Sequence, residues 1–169
     1  MKRKLILLLL VYTFLSVKAM AQLPAIAFEA VINNQQNNPI SPFRFDVVKY
    51  NQGNAFSERT NMFVAPANGV YFFTVNFLWD GFGCGYNGGT LNVAAVKNAG
   101  ETLYSIKRFA SYHEWGTFTT AFSFSTKLNA GDRVSLTSAY TFCTGSAVYT
   151  SHALLHKGSF SGYRVYADQ

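Results

Sequence analysis

Short clusters of Gly, Asn and Pro divide the chain, and between them apolar and polar residues alternate with a period of two. That period, with no 3.6-residue apolar repeat, predicts strands and no long helix. Strands are predicted over 27–32, 43–48, 56–64, 70–79, 90–97, 102–109, 117–128, 133–140 and 160–167. The polar stretch 33–39 reads as a loop, and its 33–38 portion is the only low-complexity patch. Turns fall at 51–54, at Pro66 and 67–69, at 98–100 and at 130–132. Nine or ten strands at this spacing mean an all-β sandwich or barrel.

The segment 70–79 is the longest without a breaker, and its pattern is apolar on both sides. Tyr71, Phe73, Val75, Phe77 and Trp79 share one face, while Val70, Phe72, Thr74, Asn76 and Leu78 share the other. A two-layer sandwich covers one face of each sheet and leaves the other to water. Burying Phe72 or Leu78 stabilises by about 1.5–3 kcal/mol each, so a neighbouring subunit is the expected cover. Ordinary surface apolarity is the alternative.

Composition narrows the class. Of 169 residues 49% are hydrophobic, 17% aromatic and only 13% charged, too few charges for a disordered tail or a coiled coil. The net charge of +6 invites a nucleic-acid reading until the charges are located. Lys2, Arg3 and Lys4 precede the apolar run 5–17, and Ala19-Met20-Ala21 offers a small-x-small cleavage site. A thirteen-residue run spans roughly 20 Å as a helix, short of the roughly 30 Å hydrocarbon core, so no transmembrane anchor is expected. Residues 1–21 are therefore expected to be a signal peptide and 22–169 a secreted, extracellular domain. Cleavage removes four of fourteen basic residues and no acidic one, leaving ten against eight. The remaining cations are scattered, with only Lys107-Arg108 adjacent, and nucleic acid is not an expected partner. In an oxidising compartment Cys84 and Cys143, the only two cysteines, are expected to pair. Such a bridge stabilises by about 4 kcal/mol on the chain-entropy model. A buried thiol and an interchain bridge are the other readings.

Four ordered blocks carry a family resemblance. Phe45, Asn51, Phe56, Phe63, Gly69, Tyr71 and Phe73 fall on the spacing of the C1q-domain signature, with Val75 where an aromatic residue is expected. Ala27-Phe28-Glu29-Ala30 resembles its opening strand, and Leu128-Asn129-Ala130-Gly131-Asp132-Arg133-Val134 resembles the turn before its penultimate strand. The stretch 159–168 resembles its closing strand. The chain is similar to the globular head of complement C1q over about 26–168. The resemblance implies a ten-stranded antiparallel jelly-roll sandwich of the C1q and tumour-necrosis-factor type, assembled as a homotrimer, without a collagen stalk. Tyr71 and Phe73 would be core, and Phe72, Thr74, Asn76 and Leu78 would face the trimer interface. It also places Cys84 and Cys143 in loops at one end, together with the loop 111–115.

That end holds the candidate binding residues. Asp80, Tyr86, Asn87, Tyr112, His113, Glu114 and Trp115 combine aromatic faces, which stack on sugar rings, with amide, imidazole and carboxylate groups that bond hydroxyls. Trp79 joins this set; the alternative is that Trp79 and Trp115 plug the core and the polar groups are ordinary loop surface. Other chemistry is thin. Gly83-Cys84-Gly85-Tyr86-Asn87-Gly88 fits G-x-G-x-x-G by letter, but a dinucleotide site needs a helix next and a strand is predicted. His152 and His156 would be about 13 Å apart on extended chain, too far for one zinc, and a solvated loop is the expected setting. The resemblance implies that calcium is possible, since some relatives carry it, but Asp80, Glu114 and Asp132 form no recognisable acidic loop, and metal is left undecided. No nucleophile elbow, oriented base or carboxylate pair is identifiable, and an enzyme is not expected. The expected function is a trimeric pattern-recognition or lectin-like protein of innate immunity, binding glycans or microbial surface ligands. The alternative is an extracellular-matrix component or a trimeric receptor ligand.

Overall fold

The computed structural model describes residues 25–37, 41–83, 89–110, 117–141 and 152–167. Eleven strands follow in order: β1 Ala27–Ile32, β2 Gln36–Asn37, β3 Val47–Gln52, β4 Phe56–Ser57, β5 Met62–Val64, β6 Gly69–Gly83, β7 Gly89–Lys97, β8 Glu101–Ala110, β9 Phe118–Leu128, β10 Arg133–Thr141 and β11 His152–Ala167. Two of these have only two residues. One sheet runs β3-β1-β11-β6-β9, with β2 also on β11; the other runs β4-β5-β10-β7-β8. All pairings are antiparallel, and the two layers form a sandwich, one of the two forms that alternation implied, with the jelly-roll character that the family resemblance implied.

Aromatic rings hold the layers together. Tyr71, Phe73, Val75, Phe77 and Trp79 are fully buried, as the period of two requires. From β1, the ring of Phe28 lies 5.2 Å from Phe56, 5.4 Å from Phe63 and 4.9 Å from Phe160, joining both sheets. Ring pairs at such separations add about 0.5–1.5 kcal/mol beyond their buried area. Room for the β6 rings comes from glycine on the neighbouring strand. A Cβ at Gly162 would lie 2.5 Å from the Phe73 ring, and one at Gly158 would lie 2.3 Å from Phe77.

Three expected strands differ from the observed ones. Residues 43–46 are not a strand; they form a strap between the layers. Phe43 N donates to Leu136 O in the five-stranded sheet and Asp46 N donates to Val31 O in the six-stranded sheet. Phe43 and Phe45 still point into the core. The predicted strand 56–64 is a hairpin, β4 and β5, turned at Asn61 with φ 55°. The last strand begins at His152 rather than Phe160, so the two histidines lie on strand and not in a solvated loop.

Candidate functional site

The outward face of the six-stranded sheet can be read in rows across β3, β1, β11, β6 and β9. One row is Gln52, Ala27, Tyr163, Phe72 and Ser125. The next is Tyr50, Glu29, Ser161, Thr74 and Ser123, followed by Val47, Val31, Ser159, Asn76 and Ala121. Phe72 and Tyr163 pack with ring centroids 5.5 Å apart, and Tyr166 stands opposite Val70. Tyr163 is 50% exposed and Tyr166 58%, while Phe72 and Leu78 are half-buried and Thr74 and Asn76 are exposed. A band of short hydroxyl and amide side chains thus lies beside a patch of large rings. Small side chains let a second backbone approach closely, and exposed rings supply area to bury. Phe72, Thr74, Asn76 and Leu78, assigned to one face from alternation, do share it. A recess of about 270 Å³ opens on the same face, lined by Glu29, Val31, Lys49, Asn76, Leu78 and Lys157 among others.

The strand ends at one pole form the second region. Gly83 of β6 is the cross-strand partner of His152 of β11, Thr141 of β10 partners Thr90 of β7, and Gly89 partners Ala110 of β8. The ends that flank 84–88, 111–116 and 142–151 are therefore paired neighbours within each sheet. Tyr86, Asn87, Tyr112, His113, Glu114 and Trp115, with Cys84 and Cys143, lie outside the described residues, and so does the side chain of Asp80, whose backbone belongs to β6. Trp79 is not part of a surface site. It is fully buried, its Nε1 donates to Thr120 Oγ1 at 2.9 Å, and its ring lies 6.1 Å from Phe118. The Arg108 guanidinium sits 4.3 Å above that Phe118 ring. After the glycine-rich segment the chain enters β7, a strand, so the helix that would receive a pyrophosphate does not follow. Among the described residues no three His, Cys, Asp or Glu side chains gather where they would hold a metal ion.

Titration behaviour follows burial. The Tyr71 hydroxyl donates to Ala67 O at 2.7 Å, and burial pushes its pKa up. Burial also pushes Tyr140 up to about 12, against the lowering effect of its hydrogen bond with Ser138. At the opposite pole the Asp132 carboxylate accepts from Asn98 Nδ2 at 2.8 Å and from Asn129 N at 2.9 Å, and these bonds hold its pKa below the usual carboxylate range.

Tyr163 and Tyr166 are surface residues that strand patterning did not single out. Their signal was the alternation of the closing strand, broken by a register shift between Arg164 and Tyr166. Tyr104 is another: it stacks 4.8 Å from Phe122 across the seam where β8 and β9 form the neighbouring edges of the two sheets.

Comparison with known proteins adds the following. The C1q-domain family model matches residues 27–165. The globular domain of zebrafish complement 1qA protein is similar in structure at 17% identity, over 85% of this chain and 99% of that one, with a TM-score of 0.63. Eiger TNF from S. frugiperda is similar at 14% identity, over 86% and 96%, with a TM-score of 0.58. Murine APRIL is similar at 12% identity, over 83% and 99%, with a TM-score of 0.56. Curated protein sequences give no match. At these identities the structural likenesses establish the fold.

Proposed function

The chain belongs to the C1q-domain family, and from that premise we propose that it is a secreted, trimeric pattern-recognition module of innate immunity that binds glycans or microbial surface ligands. The observation that carries the assembly is the outward face of the six-stranded sheet, where Tyr163 and Tyr166 remain half-exposed beside Phe72. Three copies related by rotation would bury this face against a different patch on the next copy and close the ring. The ligand site is read from Asp80, Tyr86, Asn87, Tyr112, His113, Glu114 and Trp115, whose strands end at one pole. Three such sites on one rigid body bind a repetitive surface with an avidity far above that of each site. No catalytic group is assigned, and residues 1–21 act as a cleaved leader.

The test is a screen of the mature protein against glycans and bacterial envelopes, with and without a chelator, alongside sedimentation. Binding that weakens in Trp115→Ala without loss of the trimer is the expected result. A purified trimer that ignores every such surface overturns the reading. The fold shared with a TNF protein supports a second role, as a trimeric receptor ligand or a matrix component. One tight protein partner, or accumulation in an insoluble matrix, would establish that role instead. N-terminal sequencing of the secreted product tests the leader: it should begin at Gln22.

A further inference from the structure

A separate concavity lies on the flank of the sandwich, where the strap 43–46 crosses between layers. A recess of about 270 Å³ opens there, lined by Asn34, Gln35, Gln36, Arg44, Phe45 and Asn61, with Asp46 beside them. Three of these, Asn34, Gln35 and Gln36, come from the low-complexity amide run that strand patterning left without a role.

Its walls are held by hydrogen bonds. The Asp46 carboxylate accepts from Asn33 N at 2.8 Å, from Asn34 N at 2.9 Å and from Asn34 Nδ2. Gln36 Nε2 donates to Arg44 O at 2.6 Å, and Phe45 N donates to Asn61 Oδ1 at 2.8 Å. Asp46 is thus committed to the strap, and the Arg44 guanidinium makes no ion pair among the described residues. What is left facing the recess is a mixed set. Donors remain on Arg44, Gln35 and Asn61 Nδ2, and acceptors remain on Gln35, Gln36 Oε1 and Asn34 Oδ1. Each sugar hydroxyl both donates and accepts, so it asks for amides that offer both. A guanidinium fork is the planar match for a carboxylate. Phe45 is the one apolar residue of the lining and is itself buried, so the rest of the surface is polar tips on the aliphatic stems of Arg44 and the glutamines. These bonds fix the backbone of the walls, while the Arg44 and Gln35 side chains are exposed and would order on binding.

We propose that this recess binds a uronate-type saccharide unit, its carboxylate on Arg44 and its hydroxyls on the amides of Gln35, Gln36 and Asn61. The proposal rests on the glycan-binding reading above but uses none of the residues of the strand-end pole.

The experiment is calorimetric titration of the mature trimer with oligogalacturonate, with neutral oligogalactose as control. Binding of the acidic oligomer is expected, with affinity falling at least tenfold in Arg44→Gln and severalfold in Gln35→Ala. Arg44→Lys, which keeps the charge and loses the fork, should fall between. Lys107→Ser, on the outward face of the five-stranded sheet, should leave this binding within twofold. Circular dichroism checks that each exposed-site variant is folded. Equal binding of the neutral oligomer, or no change in either recess variant, overturns the recess. If saccharide binding exists but disappears only in Trp115→Ala, the recess falls and the strand-end reading stands. If the wild-type protein binds no saccharide, both fall.

Discussion

The outward faces of the two sheets are built differently. On the six-stranded sheet Val47, Tyr50, Tyr163, Val165 and Tyr166 are each at least 40% exposed, and Phe72 packs among them. On the five-stranded sheet the corresponding rows are Lys107, Asn92 and Ala139, and Ser105, Ala94 and Thr137. There the most exposed large apolar side chain among the described residues is Phe109, 68% exposed and carrying Lys107 Nζ 5.5 Å from its ring centroid. Both inward faces are closed by each other, so neither needs a partner. The apolar surplus of one outward face is what a single chain of this fold leaves uncovered, and the short polar side chains of the other are what water covers well.

That contrast can be broken in graded steps. The largest effect belongs to the inward face: Phe73→Ala should cost about 3–5 kcal/mol in urea unfolding, since its ring touches both layers and the site cannot collapse around Gly162. Phe72→Ser, one residue away on the outward face, should leave the fold intact and weaken association by about ten- to a hundredfold, read by sedimentation against dilution. Lys107→Ser on the other sheet should change neither sedimentation nor stability beyond about 0.5 kcal/mol. A variant Phe72→Ser that sediments like wild type would end the distinction between the faces.

Smaller effects sharpen it. Tyr140 has its folded pKa raised to about 12 by burial, so the folded state holds the proton that the unfolded chain releases near pH 10. Its contribution is complete below pH 10 and is lost as pH rises from there to about 12. In Tyr140→Phe the alkaline fall in unfolding free energy should be shallower over that window. Ala99 in the β7–β8 turn has φ 60°, a left-handed conformation that costs a side-chain-bearing residue about 1 kcal/mol. Ala99→Gly should therefore raise stability by up to about 1 kcal/mol and leave association untouched.

Much of this was legible in the residues. The five inward positions of β6 and the family landmarks followed from spacing, because alternation is a local property of extended chain. Phe43 and Phe45 show the limit: their alternation imitates a strand, yet their backbone bonds go to two different sheets. The first half of β11 escaped notice because register shifts at Leu154/Leu155 and Leu155/Lys157, with Gly158 beside them, break the period. Trp79 was ambiguous until the Thr120 hydroxyl, 41 positions away, took its indole N–H.

Which side chains turn inward, and that the chain folds as an all-β sandwich or barrel, was written in the order of apolar and polar residues and their turn signals, and the C1q type in the motif blocks that resemble that family. Which strands lie side by side, which apolar face is left uncovered, and how the Asn33–Asp46 contacts frame a polar recess were decided only in three dimensions. Those features depend on backbone pairing between distant segments, and a period of two carries no information about the partner.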